Sequence, residues 1–173
     1  MNESGTIRRI IQGIYDKPVY SELLNEYSSP KVEKVVEALA RKFNWTVAPA
    51  GETALNYLFE RNGKRFLYAS DTGLYEEDNY SYLHGKLLNT LLMECSCGEA
   101  HRQPGFKHLT CEFIVEMVER FRRDDVINDR TEIYLTHIGH KGGLNHLELQ
   151  QKMRDVIGLQ VEVAHDGLRI ADF

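Results

Sequence analysis

From residue 64 onward the apolar pattern keeps changing its period, and this alternation limits the chain to few architectures. RFLYAS (65–70), TLLMEC (90–95), EIYLTH (132–137) and LQVEVA (159–164) are short apolar runs of strand length. Between them TCEFIVEMVERFRR (110–123) places Phe113, Ile114, Met117, Val118 and Phe121 on one helical face. LNHLELQQKMRDVI (144–157) reads as a second helix, with Asn145 and Glu148 at the spacing of a capping box. SYLHGKLL (81–88) predicts a shorter helix, and LRIADF (168–173) a last strand. Strands alternating with helices predict an α/β layer.

The first 60 residues read differently. GTIRRIIQGIYDKP (5–18) predicts a strand or hairpin closed by a proline turn. In SSPKVEKVVEALARKF (28–43), Ser29 suits a cap and Pro30 the first helical turn, followed by Val32, Val35, Val36, Leu39 and Phe43 at helical spacing. WTVAPAGETALNYLFE (45–60) predicts a short strand, a Pro–Gly turn and another helix. RNGKR (61–65) predicts a turn and the domain boundary, giving a small α+β segment over 1–60 and an α/β region over 64–173.

Bulk composition excludes several classes. Of 173 residues, 42% are hydrophobic, enough for a core, and the net charge of −5 does not favour a polyanionic partner. No apolar run is long enough to span a bilayer, and MNESGTIRR lacks the apolar region of a secretory leader. Three cysteines outside any secreted-type framework point to a reducing cytoplasm.

Three of the strands stop in the same way. ASDTG, LTHIG and AHDG each place an Asp or His just past an apolar run, with a glycine two residues on from Asp71, His137 and His165. A strand fixes the backbone there and leaves the side chain free to converge with its neighbours. Asp71 offers carboxylate oxygens to a metal, His165 an imidazole nitrogen, and His137 and His140 a further nitrogen or a mobile proton. The plainer reading is that these groups end strands and face water. MECSCGEAHRQPGFKH gathers Cys95, Cys97, His101 and His108, and thiolate and imidazole suit zinc. The C-x-C step is unusual for a zinc knuckle, so Cys95 also reads as the end of a buried strand. His84 and His146 are expected on helix surfaces, and Met93, Met117 and Met153 in the core.

ASDTG, YLTHIGHKGGLNHLELQ and VAHDGLRI resemble, in order, the second half of a metallo-β-lactamase-fold hydrolase, closest to phosphodiesterases and tRNA 3′-processing ribonucleases. The resemblance covers about residues 64–173. It implies a partial metallo-β-lactamase-like sheet flanked by helices. It also implies Asp71 and His165 as metal ligands, His137 as a catalytic residue at the scissile phosphate, and His108 and His140 on the substrate side. The family's H-x-H-x-D-H string does not occur, and no histidine precedes Asp71. The expected metal, zinc or another divalent ion, would then be weakly held. The implied protein is a truncated, catalytically inactive relative of these hydrolases, or a hydrolase completed by a partner chain.

Residues 5–58 resemble an abortive-infection-type antitoxin or a related regulator, with GTIRRIIQGIYDKP as a wing and its exit. That implies a regulatory protein as the alternative, with Arg8, Arg9 and Lys17 near phosphates and only weak, salt-sensitive nucleic-acid binding. Half of a two-sheet fold would leave Leu67, Leu92, Leu135 and Val163 lining an open sheet face. Leaving about 400 Å² uncovered forgoes roughly 10 kcal/mol at about 25 cal/mol per Å². A homodimer, or a partner chain over that face, is therefore expected.

Overall fold

A computed structural model describes residues 56–100, 107–139 and 142–170, together with strands and a helix within 8–11, 14–16, 20–21, 26–27, 32–43 and 46–49. The chain divides into two compact units, Met1–Val47 and Ala48–Phe173. In the first, β1 (Arg8–Ile11) pairs antiparallel with β2 (Ile14–Asp16), the hairpin expected there. β3 (Tyr20–Ser21) pairs with β4 (Glu26–Tyr27). The amphipathic helix is α1 (Val32–Phe43), with Ala40 buried and Glu37, Arg41 and Lys42 exposed. Ser29 and Pro30 lie outside the described residues.

The second unit is a sheet with helices. β5 (Thr46–Pro49) lies across the division and takes the place outside β6 (Tyr57–Arg61), followed by β7 (Lys64–Ala69). Where a helix was expected near residue 60, the chain forms β6 instead. Asn62 and Gly63 both have positive φ, 52° and 77°, which is the twist a two-residue hairpin turn requires. That turn holds Leu58 opposite Leu67 and stacks Phe59 on Phe66 with ring centres 5.6 Å apart. The 61–65 turn thus joins two strands of one sheet, and the division between units falls earlier, at 47/48.

After β7 come α2 (Glu77–Leu83), β8 (Thr90–Glu94), α3 (Cys111–Arg123), β9 (Glu132–Thr136), α4 (His146–Ile157) and β10 (Val161–Val163). α2 begins before the expected 81–88 window and stops short of Gly85, whose φ of +70° breaks the helix. Thr110 caps α3, and Asn145 and Glu148 close the expected capping box on α4. The order is β10-β9-β8-β7-β6, with β7 to β10 parallel and β6 antiparallel.

Each step from β7 to β10 moves one place in the same direction, with a helix between. Right-handed crossovers then put α2, α3 and α4 on one face. Burial agrees: Leu67, Leu91, Met93, Ile133, Leu135 and Val163 alternate along their strands and are at most 1% exposed. Met117, Phe121 and Met153 of the helices are fully buried with them, so the three methionines are core residues as expected. Leu67, Leu135 and Val163 do not line an open face. The opposite face carries Phe66, Leu92 and Tyr134, partly buried, and Tyr68, which is exposed.

β10 is an edge strand, yet two of its outward groups are held by one side chain. The Gln150 amide donates to the Val161 carbonyl at 2.8 Å and accepts from the Val163 N–H at 2.7 Å. This side chain occupies the place of a further strand and blunts the edge. The expected strand at 168–173 does not begin: Gly167, at φ +87°, turns the chain back, and residues 168–170 are not extended into the sheet. Residues 171–173 lie outside the described residues.

Candidate active site

Ligand-binding loops in open α/β sheets lie at the carboxyl ends of the strands. Here the ends of three adjacent strands supply Asp71 after β7, Glu94 as the last residue of β8, and His137 after β9. His108 reaches the same place from the segment just ahead of the Thr110 cap. Asp71 and His137 each adopt a positive φ, 57° and 54°. Only a few per cent of non-glycine residues do so, with Asp and His among the more tolerant. This turn swings each side chain out of the strand line and over the sheet end.

The four side chains form one cluster. His108 Nδ1 lies 3.1 Å from Glu94 Oε1 and 3.7 Å from Asp71 Oδ1. His137 Nε2 lies 4.0 Å from the same Asp71 oxygen. The two imidazoles are nearly parallel, 15° between planes, with ring centres 6.2 Å apart. Asp71 is open to water, with 71% of its side chain exposed, whereas the Glu94 side chain is fully buried. Burial pushes the Glu94 carboxyl up from its ordinary pKa, while the hydrogen bonds from His108 and Ser96 oppose the shift. A buried carboxylate is costly without partners, and these two supply them.

The surrounding loops are fixed backbone to backbone. The Cys95 N–H donates to the Thr136 carbonyl at 2.9 Å, tying the end of β8 to the residue before His137. The Glu99 N–H donates to the Gly142 carbonyl at 3.0 Å. A Cβ on Gly139 would fall 2.1 Å from the Ser96 carbonyl oxygen, so only glycine lets these loops approach so closely. Behind Asp71, the buried Thr72 hydroxyl accepts from Asn56 Nδ2 at 3.3 Å.

His165 is not brought to Asp71. β8 and β9 stand between β7 and β10, three strand spacings or about 14 Å. The hydrogen bond of His165 is within its own turn, Nδ1 to the Asp166 carbonyl at 3.1 Å. His137 takes the place beside Asp71 that His165 was expected to hold. His108 is in the cluster, and His140 lies outside the described residues. His84 and His146 are exposed on their elements as expected. Sequence reasoning passed over Glu94; its signal was a lone acid at the end of an otherwise apolar, buried strand.

A divalent metal does not fit the described donors. Asp71, His137 and the Nε2 of His108, whose Nδ1 is held by Glu94, fall short of the about four ligands that zinc takes. Among the described residues no three His, Cys, Asp or Glu side chains converge as a metal site. The Cys95, Cys97, His101 and His108 set is not assembled there either: His101 lies outside the described residues, and Cys95 is buried in the core at the end of β8.

No family model and no curated protein matches the chain, so the regulator-like resemblance of residues 5–58 gains no support there. Among solved structures the chain is similar to unliganded yeast PDE1, at TM-score 0.52 and 15% identity over 65% of this chain. It also matches YhfI from Bacillus subtilis, described as a metallo-β-lactamase fold protein, at TM-score 0.49 and 16% identity over 72% of this chain. The chain spans 38% of the yeast protein and 46% of YhfI. The likeness to yeast PDE1 is one of fold. The architecture expected from the sequence, an α/β sheet flanked by helices, is the one found. Among the described residues no helix is long and apolar enough to cross a membrane.

Proposed function

We propose that this chain is a relative of metal-dependent phosphodiesterase-type hydrolases that retains the phosphate-handling side of the site and does not, alone, turn over phosphodiesters by a two-metal route. The observation that carries this is the cluster itself: His108, oriented by the buried Glu94, and His137 stand beside the one carboxylate of Asp71, and among the described residues no three His, Cys, Asp or Glu side chains converge as a metal site. The phosphodiesterase-like fold of the C-terminal part supports the substrate class.

The chemistry left to the cluster is proton handling. Glu94 accepts the Nδ1–H of His108 and so fixes one ring orientation, leaving Nε2 as the working nitrogen. His137, 49% exposed at the end of β9, stands beside it with its ring nearly parallel. Two such rings can hold a phosphate oxygen or pass it a proton. Bis(p-nitrophenyl) phosphate with added zinc or manganese tests the proposal. No turnover above the metal-only blank is expected, while dimethyl phosphate shifts the imidazole NMR signals of His108 and His137. Turnover abolished by Asp71→Ala would overturn it.

A further inference from the structure

The turn that carries Asp71 has a support from the neighbouring strand. Because β6 and β7 run antiparallel, the residue just before β6 lies beside the end of β7. That residue is Asn56, 1% exposed, and its Nδ2 donates to the Thr72 hydroxyl at 3.3 Å. The Thr72 hydroxyl in turn donates to the Gly73 carbonyl at 3.4 Å. Asn56 Oδ1 is buried and has no hydrogen-bond partner among the described residues. A buried amide with one group unmatched costs stability, where an apolar side chain of the same size would not. Packing alone therefore does not account for Asn56.

We propose that Asn56 is a positioning residue, fixing through Thr72 the turn that presents the Asp71 carboxylate to His108 and His137. The proposal rests on reading those three residues as one site. Two observations ask for such a support. Asp71 holds a φ of 57°, a conformation that is costly for a non-glycine residue and persists where the surrounding structure imposes it. Its carboxylate is 71% exposed, and no hydrogen bond among the described residues holds it. The imidazole nitrogens stand 3.7 and 4.0 Å away, too far to fix it by hydrogen bonding.

An exposed carboxylate without a bond of its own goes where its backbone goes. On one side the Asp71 backbone is fixed by β7, which pairs with β8 as far as Ala69 opposite Met93. On the other side the next residue is Thr72, whose hydroxyl is tied to Asn56 sixteen residues away. Thr72 is itself buried, so water does not readily replace Asn56 as the donor. Losing that bond lets Asp71 relax towards an ordinary negative φ and swings its side chain away from the sheet end. Asp71 faces both rings, so one change in its backbone alters both contacts.

The test separates positioning from stability in the full chain. Asn56→Leu combined with Thr72→Val replaces both partners by apolar groups of similar shape, a change that folded proteins tolerate well. In the wild-type chain at fixed pH, Asp71→Asn should move the imidazole NMR signals of His108 and His137, because a charge beside both rings is lost. In the N56L/T72V background the same substitution should move them by less than half as much. Thr72→Ser keeps the hydroxyl and should give the wild-type response. Thr72→Val alone carries the comparison should the double variant not fold. A response of wild-type size without the Asn56–Thr72 bond would overturn the proposal, since Asp71 would then be placed without Asn56. No response in the wild-type chain would overturn the reading of the three residues as one site, and the proposal with it. Neither measurement depends on phosphate binding or hydrolysis.

Discussion

Replacing Glu94 with Gln tests the electrostatics of the cluster directly. The Glu94 side chain is fully buried, and burial is the leading cause of its raised pKa. The sign follows from proton linkage. Between the ordinary carboxyl value and the raised one, the folded chain keeps a proton that the unfolded chain has released. The contribution of Glu94 to stability is therefore complete below the ordinary value and lost as pH rises through the raised one. Each pH unit between the two ionisations is worth about 1.4 kcal/mol. Gln has nearly the same shape and still offers an oxygen to His108 Nδ1, now 3.1 Å from the carboxylate. It forfeits the charge, which makes such a bond weaker by roughly 1 kcal/mol, and it also removes the cost of a buried carboxylate. The absolute difference mixes these opposing effects, but its slope isolates the proton. Urea titrations from about pH 4 to about pH 8 should show E94Q gaining on wild type as pH rises, by no more than about 1.4 kcal/mol per unit. Repeating the pair in a His108→Asn background separates the proton exchanged by that ring. A difference that is flat with pH, or wild type gaining as pH rises, would refute the reasoning: the fold would then stabilise the carboxylate rather than penalise it.

Gly139→Ala should lower stability by about 1–3 kcal/mol through overpacking, because the new Cβ meets a carbonyl oxygen of Ser96 at 2.1 Å and not a yielding side chain; thermal unfolding measures it. Gly63→Ala meets nothing within 4 Å, so its cost is the positive φ alone, roughly 1–2 kcal/mol, and it should leave the His108 and His137 NMR signals in place while G139A moves them. Gln150→Ala removes the bonds to Val161 and Val163 and should cost about 1–3 kcal/mol while opening the β10 edge; light scattering over a dilution series should then show self-association stronger than in wild type.

The α/β alternation was legible because buried strands and amphipathic helices differ in period, and each segment states its own. The capping box at Asn145 and Glu148, the core methionines and the turn residue Asp71 were equally local. The aromatic run ending in Tyr57–Arg61 was not: a short apolar stretch suits helix or strand, and pairing with β7 through the Asn62–Gly63 turn decides it. The site divided along the same line. The sequence by itself determined which residues sit at strand ends, because an Asp or His followed by glycine is a local signal. Which of those ends meet depends on strand order, and only the tertiary structure decided that. Putting β8 and β9 between β7 and β10 joins Asp71 to His137 and leaves His165 alone. It also turns Glu94, which reads as one more residue of a buried strand, into the carboxylate that holds His108.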